Sequence, residues 1–359
     1  MKLAVFGLSV TSGRGNAHAA FWRGVLGALA ADGHEAVFFE RATPYFAAHR
    51  DLDRHEGYDV VVYPSWSEVL PRARRAVAQA DVAIVTSCQA DAAAATELVL
   101  GAGRTRIFYD LDAPVTFQRL DRGELVSWLP AEGLGELDLV LSVAGGAALE
   151  RFRRELGARR VAPLFACVDV AALRPSWPPP LPECDLSCLA APAGAGLSGG
   201  ERLLLDVAAR APERRFVLGG VAGADVARRS NVVTAADVPL AERADFYGAS
   251  RLTLDGAGVA ETDVGFCPSS GLFEAAACSV PIVSQGWRGI ESFFTPADEI
   301  LVARDVDDVL AMLELSPACL RALARRARDR VLAEHTAAHR ARELVELARA
   351  IPTGRASAA

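Results

Sequence analysis

Short apolar runs recur along this chain and are split by stretches with helical spacing. KLAVFGL (2–8), EAVFFE (35–40), DVVVYP (59–64), VAIVTS (82–87), RIFYD (106–110) and LVLSV (139–143) read as strands. AHAAFWRGVLGALAADG (17–33), PRARRAVAQA (71–80) and GAALERFRRELG (146–157) read as helices, the first ended by Gly33. Strands that are apolar on both faces and alternate with helices belong in a parallel sheet covered on both sides. A second series begins with DLSCLAA (185–191) and GGERLLLDVAARAP (199–212), and continues through RRFVLGG, NVVTAA and RLTLDG. Between the two series lies PSWPPPLP (175–182), either a stiff inter-domain linker or a surface loop within one domain. The chain has 359 residues, enough for two such domains.

Composition narrows the function classes. Hydrophobic residues make up 51% and charged residues 23%, as a packed globular protein requires. A net charge of −7 with no basic run argues against nucleic acid as the main partner. The apolar N-terminus runs straight into a glycine turn and reads as a first strand, not a secretion signal, and no apolar run reaches membrane-spanning length. The 7 cysteines are scattered, an odd number that fits a reducing cytoplasm. Cys184 and Cys188 have no second Cys or His pair nearby, and His335 and His339 sit four apart without a further ligand, so no metal site is expected.

The chemistry concentrates in CPSSGLFEAAACSVPIVSQGWRGIESFF (267–294). A turn containing Ser269 and Ser270 leads into the apolar helix LFEAAAC, with Glu274 in its first turn, and a strand VPIVS follows. A carboxylate among Leu272, Phe273 and Ala275 needs a partner. A helix start holds anions through free N–H groups. Together they suit a nucleotide sugar, with phosphates on the amides and ribose hydroxyls on Glu274. The other reading is a short core helix whose Glu274 tips into solvent. Trp287 is either a donor-side contact or packing.

At the other end, SVTSGRGNAH (9–18) follows the first strand. Gly13 and Gly15 let the backbone approach a ligand, and Asn16 with His18 can contact it as the helix begins. The loop lacks the third glycine of a dinucleotide fingerprint and the Gly-Lys-Ser/Thr of a P-loop. The alternative is a plain glycine turn with His18 facing solvent. Asp110 and Asp112 in FYDLDAPVTF end another strand, where open α/β sheets place ligand groups. Either can orient an acceptor hydroxyl or act as a base, or Asp112 caps a turn before Pro114. Gly145 in AGG (144–146) offers amides at a further strand end.

Several of these segments, in this order, resemble the CgeB-like (spore maturation protein type) glycosyltransferases of the GT-B fold. The resemblance is carried by residues 5–52, FYDLDAPVTFQRL (108–120), LVLSVAGGAALERF (139–152), LGARRVAPLFACVD (156–169), 267–294, EILVARD (299–305) and VLAEHTAAHRARELVEL (331–347). It implies two Rossmann-like domains facing a cleft: an acceptor-side domain over 1–170 and a nucleotide-sugar domain over 183–330. It also implies that a helix within 331–359 crosses back to the first domain. The implied activity is metal-independent transfer of a sugar from a nucleotide donor, a UDP- or dTDP-sugar, to an unidentified small-molecule or polymer acceptor, with retention. The chain departs from the family pattern at three places. Gly271 stands where relatives place an Arg, AAPAGAGLSGGE lacks their Asp-Arg pair, and Phe266 stands where retaining relatives have an acidic residue. Those departures favour the competing expectation, a degenerate homologue that binds or activates a partner such as a homologous glycosyltransferase subunit.

Overall fold

The computed structural model describes residues 1–14, 16–52, 55–101, 105–175, 183–190, 197–220, 229–235, 237–255 and 265–352. The proline run at 176–182, residues 191–196 and Gly15 lie outside the described residues. The chain divides into two compact units. One comprises Met1–Phe165, Thr262–Cys267 and Ala337–Ala359, the other Ala166–Glu261 and Pro268–Thr336.

In the first unit the elements run β1 (Lys2–Gly7), α1 (Ala17–Ala31), β2 (Glu35–Arg41), α2 (Pro44–Ala48), β3 (Asp59–Tyr63), α3 (Trp66–Gln79) and β4 (Val82–Thr86). They continue through α4 (Ala92–Leu100), β5 (Thr105–Asp110), α5 (Ala113–Asp121), β6 (Leu139–Ser142), α6 (Ala147–Leu156) and β7 (Val161–Pro163). The strands form one sheet in the order β3-β2-β1-β4-β5-β6-β7, and every neighbouring pair is parallel. Central strands are buried on both faces, which is why they read as unbroken apolar runs. Ala4, Phe6, Phe39, Val85 and Phe108 pack into the core on one face with Ala73 and Val77 of α3. Trp22 of α1 covers the other, against Phe38 at 5.8 Å and Tyr109 at 6.0 Å.

The second unit runs β8 (Cys184–Leu189), α7 (Gly199–Arg210), β9 (Phe216–Gly219), β10 (Val232–Ala235), α8 (Arg243–Gly248) and β11 (Ser250–Asp255). It ends with α9 (Ser270–Ala277), β12 (Ile282–Gln285), β13 (Leu301–Ala303), α10 (Val306–Leu313) and α11 (Pro317–Glu334). Its sheet is ordered β10-β9-β8-β11-β12-β13, again all parallel. Ser198 and Glu201 form a capping box that starts α7. The last helix, α12 (Ala337–Arg349), belongs to the first unit and packs along α1. His335 ends α11 and His339 lies in α12, so the two histidines do not share one helix.

Counted within its own unit, each sheet has the order 3-2-1-4-5-6, with one further strand in the first. Chain direction across the sheet reverses between β1 and β4 and between β8 and β11. Ligands of open α/β sheets bind beyond the carboxyl ends of strands at such reversals. Among the described residues, no helix is long and apolar enough to cross a membrane.

Candidate functional site

In the second unit the site grows from the end of β11. Asp255, the last residue of that strand, accepts a hydrogen bond from Ser269 Oγ at 2.7 Å. Ser269 is the N-cap of α9, and its Oγ also accepts from Leu272 N at 3.3 Å. The cap therefore ties the helix start to the central strand. Ser270 and Gly271 follow as the first helical residues, and their N–H groups have no carbonyl one turn back to bond. Ser269 serves the helix by its side chain, so the amide of Ser270 is what the turn presents to an anion.

Glu274 is the fifth residue of α9, two residues deeper than the first-turn position expected from the sequence. It is 1% exposed, so it does not tip into solvent. The partner that its burial demands is Arg243, the first residue of α8, whose Nη1 lies 2.6 Å from Oε1. Tyr247 Oη donates to Oε2 at the long distance of 3.4 Å. Burial works to lower the Arg243 pKa, and the charge and hydrogen bond of Glu274, with the neighbouring Tyr247 and Asp237, together raise it. Burial and the same carboxylate push the Tyr247 hydroxyl well above its ordinary value, and the Cys278 thiol up to about 12. Sequence reasoning missed Arg243, since its pairing is tertiary and nothing local marks it. Trp287 is 5% exposed and packs on Phe293 at 5.8 Å, so its ring is packing and not a donor-facing platform. The neighbouring Arg288 is exposed on the loop after β12.

In the first unit the loop after β1 is built on a residue that the sequence did not single out. Glu40, near the end of β2, is buried and accepts from Ser9 Oγ, Val10 N, Thr11 N and Thr11 Oγ1 at 2.6–2.9 Å. Gly13 donates its N–H to Asp51 Oδ1 at 3.1 Å. Asn16 is buried, with Nδ2 donating to Ser9 O and Ser12 O at 3.0 and 3.2 Å. Its Oδ1 has no hydrogen-bond partner. His18, in the first turn of α1, is half-buried, and burial lowers its pKa to about 4. Its ring is therefore neutral near pH 7.

The remaining candidates also sit deeper than expected. Asp110 is 0% exposed and accepts from Thr116 Oγ1 at 2.7 Å and from Asp112 N at 3.1 Å. Burial raises its pKa to about 7, and the charge of Asp112 adds to that rise. This corrects the expectation that Asp110 touches an acceptor, since no face of it reaches the surface. Asp112 is the N-cap of α5, accepting from Val115 N at 3.3 Å, and burial raises its pKa as well. Gly145 donates its N–H to Phe266 O at 2.8 Å and accepts from Phe266 N at 3.3 Å. Phe266 stacks on Phe165 at 5.9 Å between ring centres, and an added Cβ at Gly145 would sit 2.8 Å from its ring. The Gly145 amide, too, is not open to a donor, because the segment before α9 pairs with it.

Comparison with known proteins adds to this geometry. Residues 200–346 match a family model described as glycosyl transferase-like. No curated protein matches the chain by sequence. Sucrose-phosphate synthase from Thermosynechococcus elongatus has 16% identity and a TM-score of 0.66, covering 97% of this chain and 98% of that one. Anabaena HepE, solved with UDP and glucose, has 13% identity and a TM-score of 0.63, covering 97% and 99%. An alpha-glucosyltransferase solved with UDP-glucose and DNA containing an abasic site has 12% identity and a TM-score of 0.69, also covering 97% and 99%. The fold is thus that of GT-B glycosyltransferases, two Rossmann-like domains built on parallel sheets.

Proposed function

We propose that this chain is a glycosyltransferase of the CgeB-like kind, moving a sugar from a UDP- or dTDP-sugar to a hydroxyl of an unidentified acceptor. The bond from the sugar's anomeric carbon to the diphosphate breaks and a bond from that carbon to the acceptor oxygen forms. The acceptor proton leaves to a base, and the nucleoside diphosphate departs. One observation carries the reading: a carboxylate buried in α9, one turn from free helix amides, beside the strand reversal of the second unit. The amides of Ser270 and Gly271 meet the diphosphate, Glu274 accepts from the ribose, and the exposed Arg288 supplies a cation. The UDP and UDP-glucose complexes of the structural neighbours support this choice of donor. On the acceptor side, the half-buried and neutral His18 is the group offered to a hydroxyl. Retention requires a group other than residue 266, which is Phe.

A second reading, a non-catalytic homologue that binds or activates a partner, is favoured by the burial of Asp110 and the capping role of Asp112. Thermal shift with UDP, dTDP and their sugars, followed by a transfer assay with and without homologous glycosyltransferases, separates the two. A ligand of the native state raises the melting point, as a donor should here. Nucleotide binding without transfer under any pairing would establish the second reading. No binding at all would overturn the donor site.

A further inference from the structure

We propose that Arg243 is the positioning residue of the nucleotide site, holding Glu274 as an oriented carboxylate so that Oε2 remains to accept from ribose hydroxyls. The inference rests on the reading of Glu274 as the ribose ligand. Leu272, Phe273, Ala275 and Ala276 around Glu274 are all buried, and a carboxylate without a partner in such surroundings is costly. Arg243 Nη1, at 2.6 Å from Oε1, pairs with the group and engages that oxygen. The contact of Tyr247 to Oε2, at 3.4 Å, is long enough to yield to a stronger donor.

Helix α8 brings these groups to the right end of α9. Arg243 and Tyr247 are four apart and share one face of α8. An added Cβ at Gly271 would lie 3.4 Å from Tyr247 Oη, so the Tyr247 hydroxyl flanks the first turn of α9, where the phosphates are placed. The pair is also poorly suited to a purely stabilising role. Arg243 Nε is buried without a hydrogen-bond partner. A buried ion pair with an unmet donor is commonly no more stable than apolar residues of like volume. Its presence is accounted for by what the carboxylate does. Arginine suits the task because it stays charged when buried and fixes geometry through a planar group.

The test is calorimetric titration of UDP and 2′,3′-dideoxy-UDP into the full chain and its variants. The wild type should prefer UDP by about 10- to 100-fold, the range of a hydrogen bond to a charged group. Glu274→Gln and Arg243→Gln should each lose that preference, binding the two nucleotides within about 3-fold of each other. Arg243→Lys should restore part of it. The double variant should be no weaker than either single one, since the two residues act as one unit. A wild type that does not discriminate, or a Glu274→Gln variant that still does, would overturn the donor-site reading itself. Loss of discrimination in Glu274→Gln with full discrimination in Arg243→Gln would overturn the inference alone. If Arg243→Gln does not fold, Arg243→Lys decides, because it keeps the carboxylate paired and changes only how it is held. Reduced discrimination supports the inference, and full wild-type discrimination overturns it.

Discussion

The two sheets share one strand order and treat their carboxyl ends differently. In the first unit, polar groups at the carboxyl ends of β1, β4 and β5 are held by the protein itself. Glu40 gathers the loop after β1, Asp51 takes the Gly13 amide, and Ser87 Oγ accepts from Leu111 N at 2.8 Å. In the second unit, β11 hands over through Asp255 and Ser269 to a helix whose first two amides have no partner within the helix itself. The strand reversal marks two places where a ligand can bind, and hydrogen-bond satisfaction separates them. A self-satisfied loop is a rigid floor, and an open helix start is a receptor for charge.

The contrast is broken most severely at Glu40. Glu40→Ala strips the acceptor from four donors in a buried loop. We expect a loss of about 3–5 kcal/mol of stability, as for a broken buried network. Urea unfolding measures it, and UDP affinity of the folded variant should not change. A loss under about 1 kcal/mol would mean that water replaces the carboxylate and that the loop is not rigid.

Next comes pH. Asp110 has its pKa raised from 3.8 to about 7, so between these values the folded chain holds more protons than the unfolded one. Its contribution is fullest below pH 3.8 and is lost as pH rises through 7. His18 has the opposite sign: lowered from 6.5 to about 4, its contribution is present above pH 6.5 and lost as pH falls towards 4. Asp110→Asn should therefore flatten the decline between about pH 5 and 8 by about 2–4 kcal/mol relative to wild type. An unchanged pH profile in that variant would show that Asp110 stays ionised throughout, with water reaching it.

A smaller change tests the pairing of Phe266 with Gly145 within the first unit. Gly145→Ala places a Cβ 2.8 Å from the Phe266 ring and 3.0 Å from Phe165, forcing both rings to shift. We expect about 1–2 kcal/mol of destabilisation, most of it removed in a Phe266→Ala background. Equal cost in both backgrounds would mean that the strain comes from the backbone.

Much of the architecture was legible because strands buried on both faces must be apolar throughout, as Leu3–Phe6 and Val82–Val85 are. The start of α9 was legible because a Pro-Ser-Ser-Gly turn before an apolar run is local chemistry. That Glu274 needs a partner also followed from its neighbours, whereas Arg243 did not. It lies 31 residues away, and only the packing of α8 on α9 brings it near. Glu40 read as the end of a strand, and nothing in EAVFFE tells a buried terminal carboxylate from an exposed one. Asp110 and Gly145 were rightly placed at strand ends, but sequence gives position along a strand and not the depth of cover above it. Trp287 shows the same limit, since an aromatic beside a glycine and an arginine fits a surface or a core equally well.

The mildest change sharpens the comparison most directly at the helix start. At Gly271 an added Cβ meets only Tyr247 Oη at 3.4 Å and Ser269 Oγ at 3.5 Å, so a side chain fits. Gly271→Arg should leave stability nearly unchanged. The gain in helix propensity of about 0.5–1 kcal/mol is offset by placing a cation at the positive end of the helix. With a diphosphate bound, the same cation becomes favourable. UDP affinity should rise by up to about 10-fold, and that of uridine should not move. The difference between the two ligands, read by calorimetry, isolates the phosphate contact from every other effect of the substitution. A rise for both would mean that the arginine reaches the base or ribose. No rise for either would mean that the phosphates do not sit at the α9 amides, and the open helix start would lose its meaning as the feature that separates the two sheets.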